Sequence, residues 1–177
     1  LAAETVAALN AARPGLAAIV PMDGFHMRHA KLEALGTAAQ KGAPQTFEAA
    51  AFVAFLARLR SAAAPVSGPG YSRAIEDVID DAFTIAPDVR ILVVEGNYLL
   101  LPDPPWDGVR PLLDLAVFLD VPRALVRTRL LRRHAEHGLF TTERNIAHVD
   151  GVDLPNYDLA TTTRGRADLA IDLITDA

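Results

Sequence analysis

Three stretches of the chain are almost continuously apolar: residues 16–22 (LAAIVPM), 90–94 (RILVV) and 115–119 (LAVFL). Unbroken apolar runs, unlike alternating ones, mark strands covered on both faces, as in parallel sheets. A shorter run at 168–174 (DLAIDLI) reads as a further strand. Between these runs the spacing of apolar positions lengthens to that of helices. Leu1, Val6 and Leu9 sit among alanines until Pro14 and Gly15 close the segment. Thr46 is placed to cap a helix reaching Ser61, along which Phe52, Val53, Phe55, Leu56 and Leu59 are apolar. A helix is expected over 122–137, with Pro122 in its first turn and Gly138 at the position after its end. Loops are expected at 23–45, 65–73 and 102–107. Alternation of strand and helix predicts an α/β fold with a parallel sheet.

Composition narrows the function classes. The chain has 177 residues, which suits a single domain over 1–177. Half of it is hydrophobic and 22% is charged, which excludes a largely disordered chain. The net charge of −5 argues against a non-specific nucleic-acid binder. With no cysteine there are no disulfides and no thiolate metal sites. No apolar run approaches the ~20 residues of a membrane-spanning helix. The first residues lack a basic n-region, so no signal peptide is expected and the default compartment is the cytoplasm. The chain starts without Met inside a helix, so residues upstream of Leu1 are expected to be missing.

Each main apolar run ends in a carboxylate: Asp23 before Gly24, Glu95 before Gly96, and Asp120. In open parallel sheets the ligand crevice lies outside the carboxyl ends of the strands, so these acids would gather where ligands bind. Acids also end strands simply to cap the next helix, and that reading is favoured for Asp120 before Val121-Pro122. After Asp23 and Glu95, a glycine would let the backbone approach a ligand closely. The helix beyond Asp120 carries Arg123, Arg127, Arg129, Arg132 and Arg133, with Arg129 on one face with Arg132 and Arg133. Like charges at this spacing repel, and only Glu136 can relieve them locally. The cluster therefore either recognises phosphates or pairs with distant acids on a solvated face. Carboxylates at strand ends with an arginine-rich helix are the parts that phosphoryl transfer needs. The phosphate-cradling motif G-x-x-x-x-G-K-[ST] does not occur in these residues. If it lies just upstream, Leu1 would follow its Ser/Thr.

Five motifs then occur in a recognisable order. Asp23-Gly24-Phe25-His26 is similar to the D-[GS]-F motif of the uridine kinase and pantothenate kinase family. The stretch KGAPQTFE from Lys41 resembles K-G-x-P-x-[ST]-[FY]-[DE] of its bacterial branch. Pro69-Gly70-Tyr71-Ser72-Arg73 resembles P-x-Y-[DS]-x, Val94-Glu95-Gly96-Asn97-Tyr98 the E-G strand end, and TRGRAD from Thr163 the terminal T-R-x-R-A. The likeness spans nearly the whole chain. The bacterial nucleoside/nucleotide kinase-like branch, some of whose members are labelled fructose transport system kinases, is the most similar.

This resemblance implies a three-layer P-loop kinase, with helices on both faces of a parallel sheet and an arginine-rich lid. It implies ATP and Mg²⁺ as cofactors and a small-molecule hydroxyl acceptor as substrate. Asp23 would be the general base, and Glu95 would organise Mg²⁺ and its waters. Arg129, Arg132 and Arg133 would be lid arginines on the ATP phosphates. His26, Lys41, Tyr71, Arg73 and Asn97 would line the acceptor pocket, and Arg164 and Arg166 would lie near the adenine. Arg73 stands where uridine kinases carry an aromatic residue, which favours an anionic or hydroxyl-rich acceptor over a planar base. A sugar is the favoured class. A homodimer is compatible with this reading. The alternative is a nucleotide- or metabolite-binding regulatory module without catalysis.

Other constellations carry less. His134 and His137 are spaced to share a metal, but lack HExxH spacing and a clear third ligand. His148 and Asp150 read as a polar loop pair. Tyr98 and Trp106 are expected in the core rather than in a pocket wall.

Overall fold

The computed structural model describes residues 1–137 and 141–173 of the chain. They form two compact units: Leu1–Lys41 with Gln45–Leu99, and Gly42–Pro44 with Leu100–Ala177. In chain order the first unit contains α1 (Ala2–Ala12), β1 (Ala17–Pro21), α2 (His29–Ala34) and α3 (Ala49–Ser61). The β2 (Val66–Ser72), β3 (Asp77–Ile85) and β4 (Ile91–Glu95) strands follow.

Strands β1 and β4 pair in parallel, from Ala17 opposite Ile91 to Pro21 opposite Glu95. Helix α1 is tied to the start of β1 by Asn10, whose amide donates to the Ala17 carbonyl and accepts from the Ala17 N–H, both at 2.9 Å. After β1 the chain makes a 3₁₀ turn, Met22–Phe25, which buries Met22 and Phe25. Phe25 packs on Phe52 and Phe55 of α3, with ring centroids 4.9 and 5.3 Å apart. Each such buried ring contributes roughly 1.5–3 kcal/mol by removing apolar surface from water. The turn that carries Asp23 thus rests on an aromatic floor.

Within residues 65–73, expected as a loop, Val66–Ser72 form strand β2, paired antiparallel with β3. Glycine and proline hide this strand in the sequence. The register shifts between Gly68 and Gly70, at Pro69, a bulge where proline's missing N–H costs no ladder bond. A β-carbon on Gly68 would lie 2.5 Å from the Phe83 ring and 2.7 Å from the Phe55 ring, so only glycine fits beneath these aromatics. The expected loop at 23–45 contains α2. Thr46 does not cap α3: the helix starts at Ala49, and Thr46 is wholly buried in a preceding 3₁₀ turn. Its carbonyl accepts from the Met27 N–H at 2.8 Å.

The second unit contains β5 (Val117–Asp120), α4 (Arg123–His137), α5 (Thr142–His148), α6 (Leu154–Thr161) and β6 (Leu169–Asp172). Strands β5 and β6 are parallel and in register from Val117 opposite Leu169. Thr141 caps α5 by accepting from the Arg144 N–H at 3.4 Å. A π-helical turn, Val149–Asp153, joins α5 to α6, and Val149 and Leu154 anchor it in the core. Tyr98 and Trp106 are core residues of their respective units, at 0% and 4% exposure. The expected positions Gly138 and Ile174 lie outside the described residues. Among the described residues no helix is long and apolar enough to cross a membrane.

Candidate active site

The β1–β4 register sets Pro21 against Glu95, so Glu95 and Asp23, two residues past Pro21, leave the same sheet edge. Burial, and then the negative charge of Asp23, push the Glu95 carboxyl above the usual carboxylate range, against the Leu1 ammonium. The two acids therefore feel each other at the carboxyl ends of adjacent parallel strands. The Asp23 side chain is 44% exposed, and its carboxylate lies 3.9 Å from the Arg73 guanidinium. A pair so open to water adds little stability.

Around this edge the first unit gathers further polar groups. The His26 ring stacks 3.9 Å from Phe47 and 4.8 Å from Tyr71. Its Nδ1 donates to the Asp23 carbonyl at 2.8 Å, the only role open beside an acceptor. Burial is the main cause that lowers the His26 pKa, so the neutral ring presents Nε2 as an acceptor. Lys41 lies with its ammonium 5.0 Å over the Tyr71 ring and donates to the Glu76 carbonyl. Burial lowers its pKa, opposed by Glu76 and Asp77. The Tyr71 hydroxyl donates to the Glu76 carboxylate at 3.0 Å, and burial followed by that bond pushes its pKa far upward.

Asp23, His26, Lys41, Tyr71 and Arg73 are thus linked by contacts, and the charge of Asp23 acts on Glu95. Asn97 is exposed two residues past Glu95. Glu76, which holds both Lys41 and Tyr71, was not anticipated; a lone glutamate in a polar turn gives no signal. An open pocket of about 310 Å³ lies alongside, lined by Gly24 and His26 among others. Two ion pairs are among its lining, Arg28–Asp80 and Lys31–Glu48, each at 2.6 Å. Lys41, Tyr71, Arg73 and Asn97 do not line it.

Gly24 and Gly96 have a packing use that their place in the sequence did not show. A β-carbon on Gly24 would meet the Pro69 carbonyl oxygen at 2.0 Å, and one on Gly96 the Met22 side chain at 2.6 Å. Both glycines let chain segments approach closely.

In the second unit the arginine-rich helix divides into two kinds. Arg123 is bidentate to Asp158 at 2.8 and 3.0 Å, and Arg127 to Asp150 at 2.7 and 2.9 Å. These acids come from α6 and the π turn. Arg132 is exposed, 3.9 Å from Glu136, and Arg133 is exposed beside it; Arg129 is half-buried. Asp120 accepts from Arg164 Nε at 2.7 Å, and Arg166 is exposed with its carbonyl accepting from Arg110. His134 meets Asp153 at 2.9 Å, with His148 close by.

Comparison with known proteins decides the family. A solved structure from Silicibacter sp. TM1040, named "putative fructose transport system kinase", is 35% identical, with a TM-score of 0.88 over 97% of this chain and 82% of that one. The chain belongs to the P-loop kinases of the uridine kinase and pantothenate kinase type. The "ATP-dependent kinase-like protein notR'" of Aspergillus versicolor is 36% identical over 126 residues, 67% of this chain and 73% of that one. The "Putative uridine kinase C227.14" of Schizosaccharomyces pombe is 35% identical over 144 residues, 78% of this chain. The chain spans 61% of the length of that fission-yeast relative. No protein-family model matches the chain. Kinship of this kind makes the α/β architecture that of a P-loop kinase.

Proposed function

We propose that this protein transfers the γ-phosphoryl group of ATP to a hydroxyl of a small hydroxyl-rich or anionic metabolite, with a sugar as the favoured class. The observation that carries the proposal is the pairing of Asp23 and Glu95 at the ends of adjacent parallel strands, with Arg73 3.9 Å from Asp23. Asp23, whose side chain is open to water, accepts the proton of the attacking hydroxyl. As the new oxygen–phosphorus bond forms, the bond to the β-phosphate oxygen breaks and ADP leaves. Arg73 orients the acceptor beside Asp23, and Lys41 and His26 offer a cation and a neutral nitrogen to its other oxygens. Asn97, exposed two residues past Glu95, is proposed at the edge of the acceptor site.

Two mutually repelling carboxylates fit a hard, oxygen-seeking cation such as Mg²⁺, held by Glu95 directly or through water. Bound there, the ion would neutralise phosphate charge. Arg129, Arg132 and Arg133 are proposed on the ATP phosphates, and Arg164 and Arg166 on the adenine side. Arg132 and Arg133 support this by their exposure on the helix whose Arg123 and Arg127 are held by Asp158 and Asp150.

The test is ADP release by the full-length protein with Mg²⁺–ATP and a panel of sugars, sugar phosphates, pantothenate and uridine. We expect turnover with a sugar-type acceptor and its loss in Asp23→Asn. Uridine turned over as fast as the best alternative would sink the acceptor assignment. Ligand binding without ATP consumption across the panel would favour a non-catalytic binding module.

A further inference from the structure

We propose that His134, His148 and Asp153 form a binding site for one first-row transition-metal ion of the Zn²⁺ class. The site is distinct from the Mg²⁺ position beside Glu95. One ligand atom from each of the three residues lies within 4.8 Å of the others, and all three residues are half-buried. His134 comes from α4, His148 from the end of α5, and Asp153 from the π turn.

Three features point to an ion rather than to a simple hydrogen-bonded cluster. The first is the backbone. His148 and Asp153 are five residues apart, which on an α-helix would set them about 140° apart around the axis. The π turn widens the helix so that residues five apart stack, and its closing bond runs from the Leu154 N–H to the Val149 carbonyl, five residues back. That irregularity brings His148 over Asp153. The second feature is distance. His134 Nε2 is 2.9 Å from one Asp153 oxygen, and His148 Nε2 is 3.7 Å from the other. The longer separation is beyond a hydrogen bond. Each imidazole thus faces its own oxygen of the Asp153 carboxylate, and a Zn²⁺-class ion needs ligand atoms only ~2.0–2.2 Å from its centre. The third feature is which carboxylate is left. Asp150, the other acid of the turn, is engaged by both Arg127 nitrogens at 2.7 and 2.9 Å, leaving Asp153 to the histidines.

Two imidazoles and one carboxylate select Zn²⁺-like ions over Mg²⁺, and three protein ligands leave a fourth position for water. The sequence spacing pointed to His134 with His137. The structure instead supplies His148 and Asp153, from beyond the helix. The ion would fasten α4, with its arginines, to the α5–α6 segment.

The experiment is calorimetric titration of the chelator-treated full-length protein with Zn²⁺ in excess Mg²⁺, and the visible spectrum with Co²⁺ in its place. We expect one saturable site per chain, an intense tetrahedral Co²⁺ spectrum, and an affinity lowered about tenfold or more in His148→Ala. Asp150→Asn should keep the site. Absence of a saturable site in the natural sequence, or unchanged affinity in His148→Ala, would overturn the proposal. Should His148→Ala fail to fold, the Co²⁺ spectrum of the natural sequence decides: tetrahedral nitrogen–oxygen ligation supports the site, and a weak octahedral spectrum overturns it.

Discussion

Asp23 holds its carboxylate in water at the end of a buried strand, so its replacement tests chemistry with little effect on folding. Asp23→Asn should lower turnover about 10²–10⁴-fold, the usual contribution of a positioned base, and shift the urea midpoint little. Equal turnover would remove Asp23 from proton transfer. Glu95 should behave in the opposite way. Its pKa is raised mainly by burial, so the native state keeps a proton over a pH range where the unfolded chain has lost it. Stability from this residue is therefore full in acid and is lost as pH rises through the folded value. Glu95→Gln should be more stable than the natural sequence at neutral pH, and the difference should vanish below the ordinary glutamate range. Mg²⁺ should raise the melting temperature of the natural sequence more than that of Glu95→Gln. An equal response in both proteins would remove Glu95 from the metal site. Both acids were legible because an acid ending an apolar run has few interpretations. Glu76 was not legible, since its role depends on a turn that brings Lys41 and Tyr71 to it.

At the scale of elements, the hairpin of β2 and β3 was the largest difference between expectation and structure. Its sequence, VSGPGYS, carries the residues of a loop because its neighbours leave no space for side chains. Parallel strands β1, β4 and β5 were readable from apolar runs alone, as was α4 from its proline start. The α5–α6 segment escaped because no single helical period runs through a π turn. Packing between the Asp23 turn and the hairpin gives a direct prediction. Gly24→Ala places a methyl group 2.0 Å from the Pro69 carbonyl oxygen, a backbone atom that cannot swing aside. Urea unfolding should show a loss of about 1–3 kcal/mol or more, the ordinary cost of overpacking. An unchanged midpoint would mean that the hairpin and the turn part easily.

For the whole molecule, acid is the condition that should unfold it. Burial lowers the His26 pKa, and bonds from the Val78 and His29 N–H groups are among the causes that lower that of Asp77. In both cases the unfolded chain takes up its proton first as pH falls. His26 therefore contributes stability that is full above ~6.5 and is lost through its folded value, and Asp77 does the same below ~4. The urea midpoint should fall from pH 7 to pH 5, and His26→Phe should flatten that part of the profile. A profile identical to that of the natural sequence would assign the fall to other groups. The order of motifs along the chain made the family legible, whereas the proximity of His148 and Asp153 to His134 needed three dimensions. Glu76 bears on how this protein could be improved or spoiled. It sits at φ +50°, a left-handed backbone that costs a side-chain-bearing residue roughly 1–2 kcal/mol. A search for hardier variants would reach Glu76→Gly early, and that change would cut loose the Tyr71 hydroxyl. Evolution at this turn is thus pulled in two directions, and durability gained there would be taken from the hold on the Tyr71 hydroxyl.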